Sequence, residues 1–221
     1  MAGALKAVLF DFDGTLADTA ADLARALNRV REDEGLPALP LSQLRGHASS
    51  GARGLLGAGM GVLPADARFT PLRDAFLRHY AAAICVDTRL FPGMDALLGA
   101  IEGRGLRWGI VTNKSTQLTR LVVKAMGLEA RAACVVCGDT TPHLKPHPAS
   151  LLHAAKTLEL LPEHCLYLGD DQRDIQAARA AGMPCGAVQW GYGADLQAWE
   201  ADFIAHRPED LIARLPAGGI G

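Results

Sequence analysis

The chain has 221 residues, 49% of them hydrophobic and 21% charged, with a formal net charge of -2; that balance is the profile of a globular protein with a sizeable core, built as one domain or two. So small a net charge, with seven scattered histidines, excludes a nucleic-acid backbone or an anionic membrane as the natural partner and leaves small molecules. No apolar run reaches transmembrane length, and the first one is cut by Asp11 and Asp13 before signal-peptide length, so the cytoplasm is the expected location.

The first predicted element is a strand in "KAVLFDFDG". It ends on two like charges, Asp11 and Asp13, which lie two apart and so project to one side of an extended segment. Gly14 allows the sharp turn that keeps both carboxylates at the tip. From residue 16 to 84 there is no convincing strand. Leu16, Leu23, Leu27 and Val30 predict a helix stopped by Gly35 and Pro37, with Asp18 as its cap and part of a hinge. Thr70 and Pro71 predict the start of another, carrying Leu72, Phe76, Tyr80 and Ala83 at helical spacing. The glycine-rich "GHASSGARGLLGAGMG" between them lacks the GK[ST] ending of a phosphate-cradling loop and reads as turns and flexible packing; Arg53, and with it Arg45, His47 or Ser50, are the candidates there to face a substrate anion.

Strand-like runs then alternate with helices: "RWGIVT" near residue 110, "ACVVCG" near 135, "CLYLG" near 167 and "CGAVQW" near 187, with "STQLTRLVVKAMG" as a helix capped by Ser115 and ended by Gly127. The alternation predicts an α/β fold, a doubly wound parallel sheet covered on both faces, interrupted after its first strand by an α-helical insertion. Five cysteines are an odd set, and the single CxxC at Cys134 and Cys137 lies inside a strand-like run; these read as buried thiols in a reducing compartment rather than a zinc or redox site. His143 and His147 read as solvated loop residues, "WGYG" at 190–193 as a packed turn or part of a site mouth, and "PAGGIG" as a frayed end.

In such sheets ligands bind beyond the carboxyl ends of the strands. Asp11 and Asp13 follow one strand, Thr112 and Asn113 the next, and Asp170, Asp171 and Asp174 follow "CLYLG", while Lys145 lies in the loop "HLKPHP". Acidic tips brought together repel by roughly 1–4 kcal/mol per close pair in a surface-like dielectric, so a cation must sit among them. Mg2+ is the natural oxygen-liganded candidate, and Lys145 supplies a second positive charge. A site of this kind suits phosphoryl transfer. One aspartate serves as nucleophile, and the other protonates the leaving alkoxide and then takes a proton from the attacking water.

"DFDGTLADT", "VTN", the lysine of "HLKP" and "LGDDQRDI" resemble, in order, the motifs of the haloacid dehalogenase superfamily of phosphatases. The likeness covers nearly the whole chain, and the insertion resembles a cap placed between the first two motifs. The resemblance implies a core of residues 1–15 and 85–221 with a helical cap of residues 16–84. It makes Asp11 the nucleophile and Asp13 the acid/base, with Asp13 also offering its carbonyl to the metal. Thr112 and the Asn113 amide would hold the phosphoryl oxygens, Lys145 would steady nucleophile and phosphoryl group, Asp170 would ligate Mg2+, and Asp174 would act from behind the ligands or through water. Asp171 departs from the pattern, since a small hydroxyl residue commonly stands there; it is expected either to touch metal-bound water or to face solvent.

The acid at position 13 distinguishes a phosphoester hydrolase from the dehalogenases that resemble it, because displacing halide needs no protonated leaving group. "SSGARGLL", "LFPGM", "WGIVTNK" and "WGYG" resemble the phosphoglycolate phosphatases and the N-acetylmuramic acid 6-phosphate phosphatases. The expected reaction is therefore Mg2+-dependent hydrolysis of a small phosphorylated metabolite, 2-phosphoglycolate first and N-acetylmuramic acid 6-phosphate as the alternative, by a monomer or homodimer; Arg53 suits a carboxylate in either. A sugar-phosphate mutase would share the motifs. A phospho-accepting signalling domain would share the clustered aspartates, threonine and lysine, but is shorter and has no cap.

Overall fold

Ala7–Phe10 (β1) is apolar at every position, and its side chains alternate between two buried clusters, Val8 and Phe10 in one, Ala7 and Leu9 in the other. A strand covered on both faces belongs at the centre of a sheet, and β1 does lie there. The computed structural model describes residues 5–216; residues 217–221 of the "PAGGIG" tail fall outside it.

Five further strands run parallel to β1: Arg107–Val111 (β4), Cys134–Val136 (β5), Cys165–Gly169 (β6), Cys185–Val188 (β7) and Phe203–Ala205 (β8), in the order β5-β4-β1-β6-β7-β8. Val8 is in register with Trp108 on one side and Leu166 on the other. Helices Met94–Gly103 (α5) and Thr116–Ala125 (α6) bury Leu97, Leu98, Leu118 and Val122 against one face, and Ala149–Thr157 (α7) and Gln172–Ala181 (α8) bury Leu151, Ala154, Ile175 and Ala178 against the other. The sheet is thus doubly wound, and the strand order reverses at β1. The crevice above its carboxyl end is where ligands of such folds bind. The five strands read from the sequence are all present; β8, three residues at the edge, is additional.

The chain leaves the sheet domain through Ala17–Asp18 (β2) and returns through Arg89–Leu90 (β3), which pair antiparallel as a two-residue ribbon. Between them lie Ala20–Asp33 (α1), Leu41–Leu44 (α2), a 3-10 turn over Arg45–Ser50, Gly51–Met60 (α3) and Phe69–Ala82 (α4). Leu23, Leu27 and Val30 of α1 and Leu72, Phe76 and Tyr80 of α4 are buried, as their spacing requires. Leu16 is not on the helix: it closes a turn after β1, its amide donating to the Phe12 carbonyl at 3.2 Å.

The glycine-rich stretch is also not the set of flexible turns expected; most of it is α3. One of its glycines serves close packing between helices: a Cβ at Gly59 would lie 2.4 Å from Leu27 Cδ2, so the small residue is what lets α3 approach α1. Ser115 stands at the start of α6 without a side-chain cap bond; the Thr116 amide donates instead to Asp139 at 2.9 Å. All five cysteines are free, and burial pushes the Cys134 thiol up to about 12 and the Cys165 thiol to about 11, far from reactive thiolates. Among the described residues no helix is long and apolar enough to cross a membrane.

Candidate active site

Asp11 is the first residue beyond β1, anchored by its amide to the Leu168 carbonyl at 2.9 Å. Gly14 then turns with φ +93°, and a Cβ there would strike Asp170 Oδ2 at 2.2 Å, so only glycine allows the β1 tip and the β6 tip to meet.

What joins them is Lys145. Its Nζ donates to Asp11 Oδ1 at 2.8 Å, Asp174 Oδ1 at 2.6 Å and the Val111 carbonyl at 3.0 Å, with the Tyr167 hydroxyl also at 2.8 Å. Burial alone would strip this ammonium of its proton, but Asp11 and Asp174 more than reverse that and hold it charged. The loop that delivers it is clasped by Asn113, whose side chain accepts from the Lys145 amide at 2.9 Å and donates to the Lys145 carbonyl at 3.0 Å.

Asp170, fully buried, accepts from the Thr15 hydroxyl at 2.8 Å, the Ser49 hydroxyl at 2.9 Å and the Tyr192 amide at 3.0 Å. Burial first, then the Asp11 and Asp174 charges, push its carboxyl up to about 8. Asp174 is pushed up to about 7 by burial, with Lys145 pulling the other way. One oxygen from each of Asp11, Asp170 and Asp174 lies within 4.8 Å of the others. With Lys145 as the neutralising cation, the ionised cluster retains two negative charges and offers only hard oxygen donors, which fits a divalent ion such as Mg2+. The Asp13 carboxylate lies apart: Oδ1 accepts from the Thr19 hydroxyl at 2.6 Å and faces Lys114 Nζ at 3.0 Å.

The elevated carboxyls make a stability prediction. A group whose pKa rises from 3.8 unfolded to about 8 folded keeps a proton in the native state that the unfolded chain releases. It therefore costs metal-free stability progressively as pH rises from about 4 to about 8. Asp170→Asn should raise the Tm of the metal-free protein at pH 8 by a few degrees, and where the cluster holds a divalent ion the variant should lose any rise in Tm on adding Mg2+. Thermal melts of both proteins with Mg2+ and with a chelator check this; an unchanged Mg2+ response in the variant would remove Asp170 from the ligand set.

A cavity of about 530 Å³ brings Asp11, Asp13, Thr112, Asn113, Lys145 and Arg53 to one space. Arg53 makes no ion pair among the described residues. Of its neighbours in sequence, Ser50 lines the cavity and His47 does not. Arg45 faces the hinge, with its guanidinium on both Asp18 oxygens, at 3.1 and 2.9 Å, and over the Tyr192 ring. Asp171 caps α8 by accepting from the Arg173 amide at 2.9 Å and pairs with the Arg173 guanidinium, which reaches the Ser49 carbonyl at 3.2 Å. "WGYG" is a packed turn behind Asp170: the Tyr192 hydroxyl accepts from the Thr19 and Ala20 amides and donates to Asp18. His143 and His147 are exposed, outside the cavity.

Sequence reasoning missed Lys114, Ser49, Tyr80 and Arg173, all of which line the cavity. For Lys114 the signal was present, since it directly follows Thr112 and Asn113 at a strand end. Ser49 and Tyr80 depend on how the helical insertion folds back, which no local pattern encodes.

The model of the haloacid dehalogenase-like hydrolases matches residues 8–188. The chain is 42% identical over 209 residues to a phosphoglycolate phosphatase of Xanthomonas campestris pv. campestris, covering 93% of this chain and 94% of that protein. It is 39% identical over 210 residues to an N-acetylmuramic acid 6-phosphate phosphatase of Pseudomonas putida, covering 94% of each. A crystal structure described as a predicted phosphoglycolate phosphatase from Haemophilus somnus superposes with a TM-score of 0.84 at 26% identity, covering 95% of this chain and 97% of that one. The buried Asp11–Lys145–Asp174 cluster and the doubly wound sheet that carries it thus occur in a chain that belongs to the haloacid dehalogenase-like hydrolases.

Proposed function

We propose that the protein is a Mg2+-dependent phosphatase that hydrolyses a small phosphomonoester, 2-phosphoglycolate, through an aspartyl-phosphate on Asp11. The observation that carries this reading is the single cavity uniting a lysine-braced carboxylate, Asp11, with a second, separately oriented carboxylate, Asp13, and the strand-end hydroxyl of Thr112. Lys145 occupies Asp11 Oδ1, so the other oxygen attacks phosphorus. The ester P–O bond breaks and the departing alkoxide takes a proton from Asp13. Water then attacks phosphorus, yields its proton to Asp13, and the Asp11–phosphorus bond breaks to release phosphate and the free carboxylate.

Thr112 and the Asn113 amide hold the phosphoryl oxygens, and Arg53, a cavity cation with no ion pair among the described residues, meets an anionic group of the substrate. Asp11, Asp170 and the Asp13 carbonyl would hold the Mg2+, with Asp174 behind them; bound there, it would supply positive charge to offset that of the phosphoryl oxygens. Residues 16–84 act as a cap over a core of 1–15 and 85–221, with the ribbon of β2 and β3 as hinge, closing to exclude bulk water. The five free thiols are in keeping with residence in the cytoplasm.

N-Acetylmuramic acid 6-phosphate is a second reading, favoured by one observation: about 530 Å³, with Phe69, Phe76, Leu77 and Leu118 as an apolar wall, is room for a sugar-sized leaving group. Phosphate release from both esters, with Mg2+ and with a chelator, tests the proposal. A preference for 2-phosphoglycolate of tenfold or more in kcat/KM supports the first reading, the opposite preference supports the second, and metal-independent release from either removes the ion from the account.

A further inference from the structure

Lys114 has no part in the steps above, yet it is almost as deeply placed as Lys145. Its side chain is 7% exposed, and its Nζ lies 3.0 Å from Asp13 Oδ1, 3.2 Å from the Tyr80 hydroxyl and 4.5 Å above the Tyr80 ring centre. Burying a cation is costly unless its donors are used. An ammonium has three N–H donors; Asp13 and Tyr80 take two, and the third has no partner among the described residues while Lys114 lines the cavity.

The position of this spare donor is chemically specific. Asp13 Oδ1 already accepts from Thr19 at 2.6 Å and faces Lys114, so proton transfer to the leaving oxygen falls to Oδ2. The leaving oxygen must come within about 2.6–3.2 Å of it. The ammonium and the leaving oxygen then meet the same carboxylate in one cavity, so that atoms one or two bonds further along the leaving group can approach Lys114. Tyr80 belongs to α4 of the helical insertion, so this cation is completed only when insertion and sheet domain are together.

We infer that Lys114 is a specificity-determining residue for the leaving group: its third N–H binds a carboxylate attached to the carbon that bears the ester oxygen, and substrates carrying that carboxylate are selected over neutral analogues. The inference rests on the phosphatase reading and on 2-phosphoglycolate as its substrate, and adds how that substrate is told from other two-carbon esters. Arg53, exposed in the first turn of α3, meets the substrate's anion from the helical insertion, whereas Lys114 meets the carboxylate from beside Asp13.

The test compares 2-phosphoglycolate with 2-hydroxyethyl phosphate, the same ester with a neutral alcohol in place of the carboxylate. Wild type, Lys114→Gln and Lys114→Arg are assayed by phosphate release, with folding checked by thermal melts. Lys114→Gln should raise KM for 2-phosphoglycolate roughly 10- to 100-fold, the scale of a lost charge-assisted hydrogen bond, and move KM for 2-hydroxyethyl phosphate less than threefold. Any fall in kcat through the disturbed Asp13 should be equal for both esters, and Lys114→Arg should retain the preference. Equal KM changes for the two esters would overturn the inference, reducing Lys114 to a support for Asp13.

A measurement on wild type alone guards against a misfolded variant: glycolate should inhibit competitively at concentrations at least tenfold below ethylene glycol, and equal inhibition overturns the inference. A wild type that hydrolyses N-acetylmuramic acid 6-phosphate but neither two-carbon ester overturns the carboxylate assignment while the phosphatase reading stands. Release from none of the three overturns both.

Discussion

Asp11→Asn should abolish turnover, with kcat falling on the order of 10⁴-fold or more, because an amide oxygen does not displace an alkoxide from phosphorus. The variant should nevertheless fold. Asp11 is 8% exposed rather than standing free at a strand tip, so its replacement alters a buried network. Asparagine keeps an oxygen for the Lys145 ammonium at the position now 2.8 Å away and removes one negative charge from a cluster in which Asp11 raises the Asp170 carboxyl. The melting temperature of the metal-free variant should equal or exceed that of wild type. Phosphate release and a thermal melt on one preparation check both halves; retained turnover would remove Asp11 from the chemistry, and loss of folding would show that its charge is structural.

The second large effect is on Lys145. Lys145→Met removes the ammonium shared by Asp11 and Asp174 and leaves two buried carboxylates facing each other without a cation. Breaking a buried pair from one side costs about 3–5 kcal/mol, and urea unfolding should show a loss of that size at pH 8 together with loss of activity. The loss should shrink toward pH 5, because burial pushes the Asp174 carboxyl up far enough to take a proton there in the native state. A loss independent of pH would mean that the packing of the lysine stem, not its charge, is what the fold needs.

Much of this was legible in the sequence for definite physical reasons. An apolar strand ending in Asp11 and Asp13, a polar strand end at Thr112 and Asn113, and acidic residues after "CLYLG" all become neighbours in a parallel sheet, because strand carboxyl ends share one edge. Lys145 was legible through charge, as the cation an acidic cluster requires, and through the lysine of "HLKP" in the motif order the chain resembles. The edge strand β8 and the ribbon of β2 and β3 were not legible, since two or three residues carry no periodicity.

The glycine-rich stretch misled because glycine usually marks turns, whereas here its absent Cβ makes room for Leu27. Asp171 was ambiguous for a related reason: an extra acid beside Asp170 suggests a ligand, but it starts α8, and the cap position and Arg173 claim it. The contacts of the insertion with the sheet domain, Tyr80 with Lys114 and Ser49 with Asp170, join residues 34 and 121 positions apart, beyond any local signal.

The most direct test of the central claim is to quench wild-type protein during turnover of 2-phosphoglycolate, reduce with borohydride, and map the modified residue by peptide mass spectrometry. The account predicts that an acyl phosphate at Asp11 is converted to homoserine at that position alone, with Asp13 unchanged. Steady phosphate release with no reduction product at Asp11, or with the product at another carboxylate, would contradict it.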